Sequence, residues 1–407
     1  MGRLLDARQG TPGLEVAGEF QPLEARATST PGERVAFYEA NSPDLIRRLI
    51  DCFESGAIPA LAHPRWPESL ARDALHRAGA GQAWRGEPLG TLLFTSGSTA
   101  VPKIVAHTLD AHLAAARASA DRVPFGAGDR WLLSLPVCHV GGLSLLFRAV
   151  VGGGTLVLPE PNEPLAAALI RTRPSHLSLV AAQLRQLLDH KPARAALAGC
   201  REILIGGGPC PPGWIAEARE LGASPRLTYG LTEMASQVAT ETAGQLLPLN
   251  GTELRVDGQQ EIWVRGPSRF AGYLADEKLS QPFQDGWFPT ADLGRLGPSG
   301  ALEIAGRRDS QFISGGENIQ PESIEAAFAE HGIPIVVVGV PHPHFGMRPV
   351  AFGPDDQDHS DLARNLLPDF AQPIAWLPIG YPSGLKPRRA ELAQRAIREL
   401  GRLFRDS

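Results

Sequence analysis

Lysine, cysteine and aromatic side chains are scarce in this 407-residue chain, and it contains no long uninterrupted apolar run. The four cysteines, Cys52, Cys138, Cys200 and Cys210, show no CxxC spacing and no zinc-type histidine pattern, so neither a disulfide framework nor a structural metal is expected. Basic charge is not in excess. The 39 Lys and Arg residues face 44 Asp and Glu, a formal net charge of −5, which argues against nucleic acid or an anionic membrane surface as partner. The most apolar stretch, residues 143–158, is broken by Arg148 and three glycines, so membrane insertion is not expected. Residues 1–10 include Asp6 and no apolar segment, so no secretory signal is read there and a cytoplasmic location is expected. Glycine and proline are plentiful, with 44 and 36 residues. They follow no collagen-like period and separate apolar runs, so they mark turns in a packed protein that is 43% hydrophobic. The length suits two domains, or one large and one small. Whether the chain forms a homo-oligomer is left open.

Periodicity predicts helices over residues 42–54, behind a Ser42 cap, and 66–80. Residues 90–94 form the first strong strand, followed by a hydroxyl-rich loop and an alanine-rich helix over 109–121. Strands at 131–135, 155–158, 176–180 and 202–205 then alternate with helical segments at 143–150 and 183–188, which predicts an α/β layer of largely parallel, buried strands. From Glu253 the pattern changes to short strands, such as 261–265 and 301–304, separated by Gly, Pro and Asp, the mark of an antiparallel β subdomain. A third pattern begins near Asp309, with a helix over 321–330, an apolar strand over 335–340 and a last helix over 388–400. The expected fold is therefore α/β: a large layered N-terminal domain, residues 1–308, and a small, mobile α+β C-terminal domain, residues 309–407.

Chemistry concentrates in the loop Thr95-Ser96-Gly97-Ser98-Thr99-Ala100-Val101-Pro102-Lys103, where hydroxyls, backbone amides and a lysine form a candidate anion site. Its spacing is not the GxxxxGK[ST] of a P-loop, so a Ras-like or P-loop ATPase reading fails. Four further motifs follow: Tyr229-Gly230-Leu231-Thr232-Glu233 after Gly206, Gly207 and Gly208; Thr290-Ala291-Asp292; Gly306-Arg307-Arg308-Asp309; and Ser383-Gly384-Leu385-Lys386-Pro387. Lys103, Lys191, Lys278 and Lys386 are the only lysines among the 39 basic side chains, and Lys103 and Lys386 sit in these motifs. A compact ammonium meets a phosphate or a reacting carboxylate differently from a planar guanidinium.

These five motifs, in this order from residue 90 to the end, resemble the adenylate-forming superfamily of acyl-CoA synthetases, peptide-synthetase adenylation domains and luciferases. The resemblance implies an AMP-forming acid–thiol ligase using ATP, Mg²⁺ and coenzyme A. It places Thr95, Ser96, Gly97, Ser98, Thr99 and Lys103 around the phosphates, with Ala100 where the family usually has glycine. Thr232 would donate to the α-phosphate and Glu233 would hold Mg²⁺. Tyr229 would stack on adenine beside Gly206, Gly207 and Gly208, Asp292 would accept from the ribose hydroxyls, and Arg307 would reach the sugar or phosphate. Lys386 would stabilise charge in the adenylation step. Asp309 resembles the family's hinge, and Gly315 and Gly316 resemble the loop that admits the CoA thiol.

Residues 131–144, around Pro136-Val137-Cys138-His139, and residues 313–321 further resemble the branch that activates 2-succinylbenzoate in menaquinone synthesis. That aromatic keto acid carries two carboxylates, so one remains as a spectator anion in an apolar pocket. Arg148, on an apolar helix, suits that anion, helped by Ser178 and Gln237, with His139 lining the pocket. A ligase for another aryl or small carboxylic acid, and an adenylation domain that loads a carrier protein, remain the alternatives.

Overall fold

Ser42 and Gly56 delimit the first helix, Pro43–Ser55: the Leu45 N–H donates to Ser42 Oγ at 3.0 Å, and Gly56 closes the far end at φ 78°. The computed structural model that contains it describes residues 4, 11–25, 29–95, 102–314, 317–342, 344–354, 357–379 and 389–403. Ser96, Gly97, Ser98, Thr99, Ala100, Gly315, Gly316 and Lys386 lie outside these residues.

The first sheet runs, in spatial order, Gln245–Pro248, Ser236–Thr242, Pro225–Leu231, Glu202–Ile205, His176–Leu179, Arg130–Leu132, Thr155–Val157, Gly13–Val16 and Glu19–Pro22. Its interior is parallel, from Pro225–Leu231 to Gly13–Val16, and antiparallel strands finish both edges. The expected parallel layer is therefore present. A second sheet, which the sequence did not separate from the first, runs Lys278–Ser280, Gly272–Ala275, Lys103–His107, Thr91–Thr95, Ile58–Leu61 and Arg34–Phe37. Here the hydroxyl-rich loop does not lead straight to the helix Leu109–Ala120. The strands on either side of the loop, Thr91–Thr95 and Lys103–His107, pair antiparallel, with Thr95 opposite Lys103.

The helix Val140–Gly152 shares one core with side chains of both sheets, including Leu61 and Leu93 from one and Trp131 and Leu156 from the other. A helix apolar all round is expected at such a place. Close packing is visible at Gly142, where a Cβ would lie 2.2 Å from the Pro136 carbonyl oxygen. The same enclosure buries Arg148, near the helix end.

A third sheet, Glu253–Val256, Glu261–Arg265, Phe288–Leu296 and Leu302–Arg307, is antiparallel throughout, as expected. The turn Arg308–Ser310 leads from it to a fourth sheet, Glu317–Ile319, Phe312–Ser314, Gly346–Gly353 and Val336–His342, with Trp376–Pro378 beside Gly346–Gly353. The helices Pro321–Ala329 and Arg389–Leu403 pack on Val336–His342, and Arg389 ties them together through Glu322 and Glu325. Among the described residues no helix is long and apolar enough to cross a membrane.

Candidate active site

The strand Pro225–Leu231 carries the first part of the site. It lies parallel to Glu202–Ile205, whose end continues into Gly206, Gly207 and Gly208, so these glycines flank Thr228 and Tyr229. A Cβ on Gly206 would stand 2.5 Å from Thr228 Oγ1, and Gly207 has φ 80°. The chain then turns sharply at Thr232–Met234 into Ser236–Thr242. Two non-glycine residues, Ala235 at φ 52° and Ser236 at φ 124°, hold positive φ in that turn, a strained arrangement of the kind that collects at functional sites.

Buried groups hold the turn in place. His107, at the end of Lys103–His107, lies with Nε2 2.7 Å from the Thr232 carbonyl oxygen. That contact requires Nε2–H as donor, and burial lowers the His107 pKa to about 4, so the ring is neutral. The Glu233 carbonyl accepts from the Phe270 N–H at 2.8 Å. Its carboxylate accepts from the Tyr273 hydroxyl at 2.7 Å, and Lys103 Nζ lies 5.0 Å from the centre of the same Tyr273 ring. Among the described residues no ion pair engages Glu233, so an oxygen is available to a hard cation, which suits Mg²⁺ bound jointly by a carboxylate and phosphates.

Asp292 lies on the strand Phe288–Leu296, aimed by Ala291 at φ 59°. One oxygen accepts from the Tyr229 hydroxyl at 2.6 Å and the other from Arg307 Nη1 at 2.9 Å. Burial raises the Asp292 pKa against the pull of these two donors. Each carboxylate oxygen still has acceptor capacity for a second donor, as two adjacent hydroxyls would need. Tyr229 is mostly buried, and its hydroxyl is held by Asp292, which fixes the ring beside the glycines. Arg307 also grips Asp309 with two bonds, 2.8 and 3.0 Å, and this fork raises the Arg307 pKa. Burial opposes the Asp309 charge, yet the Arg307 fork keeps its pKa below the usual carboxylate value. Asp292, Arg307 and Asp309 thus form one continuous chain of charges.

A second cluster lies behind the turn. Gln237, opposite Gly230 in the adjoining strand, accepts from Arg148 Nη2 and from Ser119 Oγ, each at 2.7 Å, and donates to Thr240 Oγ1 at 3.0 Å. Arg148 is only 6% exposed, and its guanidinium lies 5.1 Å from the Trp131 ring centre. Trp131 Nε1 donates to Ser178 Oγ at 3.2 Å. Arg148 Nε has no hydrogen-bond partner, and no carboxylate pairs with this side chain among the described residues. Burial lowers its pKa to about 9, which leaves it charged at neutral pH.

Arg148, Ser178 and Gln237 therefore come together as the sequence suggested, but His139 does not join them. It precedes the helix Val140–Gly152, about 13 Å along the axis from Arg148, and its ring lies 5.0 Å from that of His63. Sequence reasoning missed Tyr273, Ser119 and His107. The glycine–tyrosine pair at Gly272 and Tyr273 was a usable signal, whereas His107 and Ser119 gain their partners only in the folded chain.

Comparison with known proteins identifies the family. The AMP-binding enzyme family model matches residues 82–274. The 2-succinylbenzoate–CoA ligase of Escherichia coli strain K12 is 36% identical over 326 residues, covering 78% of this chain and 70% of that protein. A single-site variant of E. coli MenE solved with bound OSB-AMS superposes with a TM-score of 0.85 at 28% identity, over 97% of this chain and 98% of that one. The Bacillus subtilis o-succinylbenzoate CoA synthetase, solved with its acyl-adenylate intermediate OSB-AMP, gives a TM-score of 0.79 at 25% identity, over 91% and 89% of the two chains. The chain belongs to the 2-succinylbenzoate–CoA ligase family of AMP-binding enzymes.

Proposed function

We propose that the chain converts 2-succinylbenzoate, ATP and CoA to 2-succinylbenzoyl-CoA, AMP and pyrophosphate. The observation that carries this substrate choice is Arg148, a buried guanidinium with no carboxylate partner among the described residues. An uncompensated buried cation is costly, and the spectator carboxylate of a dicarboxylic acid supplies the missing charge. A monocarboxylic acid leaves it unpaired.

In the first half-reaction one carboxylate oxygen attacks the α-phosphorus of ATP, and pyrophosphate leaves. Both reactants are anions, so positioning and charge compensation are the enzyme's main tasks. Tyr229 and Gly206, Gly207 and Gly208 form the adenine slot, and Asp292 accepts from the ribose, with Arg307 alongside. Thr232 donates to the α-phosphate while Thr95, Ser96, Gly97, Ser98, Thr99 and Lys103 surround the outgoing phosphates. Glu233 would hold Mg²⁺ together with the phosphates, and the bound ion would supply further charge compensation. Lys386 reaches the reacting carboxylate. Arg148, Gln237 and Ser178 hold the far end of the acid, and His139 borders its outer end.

In the second half-reaction the CoA thiol attacks the acyl carbon and AMP leaves. We place a hinge at Asp309, between an N-terminal domain of residues 1–308 and a C-terminal domain of residues 309–407, with Gly315 and Gly316 admitting the thiol. The structural support is the Arg307 fork, which joins Asp309 to Asp292 and so links the hinge to the nucleotide. ATP and CoA as substrates fit a cytoplasmic location.

A pyrophosphate-release screen over aromatic and dicarboxylic acids, with and without CoA, tests the reading. Succinylbenzoate should be the preferred acid, with a thioester formed only when CoA is present. Preference for benzoate-type acids would favour an aryl-acid ligase, and an acyl-adenylate that CoA does not consume would favour a carrier-loading domain.

A further inference from the structure

Cys138, His139 and His63 lie outside the Arg148 cluster, and nothing in the ligase reaction requires a thiol there. Their ligand atoms all lie within 4.8 Å of one another. Two of the three are sequence neighbours, while His63 comes from the turn after the strand Ile58–Leu61. The stretch leading into Cys138 is anchored by Asn41. Its side-chain amide donates to the Leu135 carbonyl, and its oxygen accepts from the Val137 N–H, both at 2.9 Å. The turn is further confined where Gly142 meets Pro136. Cys138 is buried, His63 half-buried and His139 exposed, so the group has a rigid floor and an open side.

We propose that His63, Cys138 and His139 form a binding site for a borderline-soft divalent cation, with Zn²⁺ as the best fit. Two imidazole nitrogens and a thiolate make a three-ligand set, and the open side leaves a fourth tetrahedral position for water or an exogenous ligand. Zn–N bonds of about 2.0–2.1 Å and a Zn–S bond of about 2.3 Å set ligand atoms roughly 3.3–3.8 Å apart in a tetrahedron. The present spacing, within 4.8 Å, closes to that arrangement by a movement of roughly 1 Å. His63 Nδ1 accepts from the Arg65 N–H at 3.1 Å. Ligation uses Nδ1 at the expense of that exposed contact, or Nε2 after tautomer exchange. Cys138 releases its thiol proton to solvent as Sγ binds. The nitrogen and sulfur donors discriminate against Mg²⁺, which demands oxygen ligands, so this site and the Glu233 carboxylate take different metals. His139 also borders the acid in the proposed reaction, so metal occupancy takes that side chain away from the substrate.

The test is titration of the full chain with Co²⁺ and Zn²⁺, without acid, ATP or CoA, so its failure would leave the ligase reading untouched. Co²⁺ should give a thiolate-to-cobalt charge-transfer absorption saturating at one equivalent per chain and displaced by Zn²⁺. Equilibrium dialysis should show Cys138→Ser and His63→Gln each weakening Zn²⁺ binding by more than the roughly 10–100-fold typical of losing an outer-shell partner. Cys138→Ser should also abolish the absorption. Thermal melts matching the wild type would show that both variants remain folded. Absence of the band from the wild type, its persistence in Cys138→Ser, or unchanged Zn²⁺ affinity in either folded variant would overturn the proposal.

Discussion

Asp292 holds two neighbouring side chains and, in the proposed reaction, the ribose as well. Its two oxygens already hold Tyr229 and Arg307, and burial raises its pKa. As pH falls through that raised value the carboxyl gains a proton and loses acceptor capacity, so AMP affinity should fall above the pH at which an ordinary aspartate titrates. Asp292→Asn should weaken AMP binding by about tenfold or more, as expected for loss of a charge-assisted bond, and flatten the pH profile. Calorimetric titration with AMP across the acid range measures both; parallel profiles would assign the pH dependence to another group. Some of this residue-scale chemistry was legible in the sequence. A single arginine among the apolar residues of 140–152 marked Arg148, and motif order marked Asp292 and Arg307. The Tyr229 hydroxyl bond to Asp292 and the Tyr273 bond to Glu233 were not legible, because each joins segments far apart in the chain.

At the scale of elements, the strand Lys103–His107 ties the second sheet to the turn at Thr232 through His107, which packs against His112 with ring centres 4.7 Å apart. Burial lowers the His107 pKa from 6.5 to about 4, and His112 is also held well below its usual value. Since the folded-state pKa lies below the unfolded one, the unfolded chain takes up the proton first. Stability from His107 is therefore complete above about pH 6.5 and is lost as pH falls towards 4, by on the order of 3 kcal/mol. Urea unfolding at a series of pH values should show a shallower acid loss in His107→Gln, which cannot titrate. An unchanged slope would mean that other groups set the acid limit. The same strand exposes where sequence reading stopped. Alternating runs of strand and helix placed Glu202–Ile205, and short strands between Gly, Pro and Asp placed Glu261–Arg265, whereas Lys103–His107 follows a hydroxyl-rich loop and precedes a helix, so its five residues were absorbed into the connection. Gly13–Val16 was missed although its antiparallel partner, Glu19–Pro22, is local; its place in the sheet comes from a second partner, Thr155–Val157, far along the chain, and no local signal specifies such a pairing. The strand expected over 131–135 ends at Leu132, just before Ser134 and Pro136, and proline has no N–H to give a ladder.

For the whole molecule, the two half-reactions should separate by mutation. Lys386→Ala should slow adenylation by roughly 10²–10³-fold, typical of losing one preorganised charge stabiliser, while thioester formation from supplied acyl-adenylate persists. Gly316→Trp should do the reverse, preserving pyrophosphate exchange and stopping CoA-ester formation by blocking the thiol's path. Equal loss of both steps in either variant would contradict the proposed alternation of the C-terminal domain about Asp309. Substrate identity rests on Arg148, and steady-state kinetics of Arg148→Ala test it most directly, with succinylbenzoate compared with its analogue lacking the spectator carboxylate. Loss of the charged partner should lower kcat/KM for the dicarboxylate by about tenfold or more, mainly through KM for the acid, with KM for ATP much less affected. The monocarboxylate should lose far less, and Arg148→Lys should retain part of the discrimination. Equal losses for the two acids, in a variant that melts like the wild type, would make Arg148 structural and contradict its pairing with the second carboxylate.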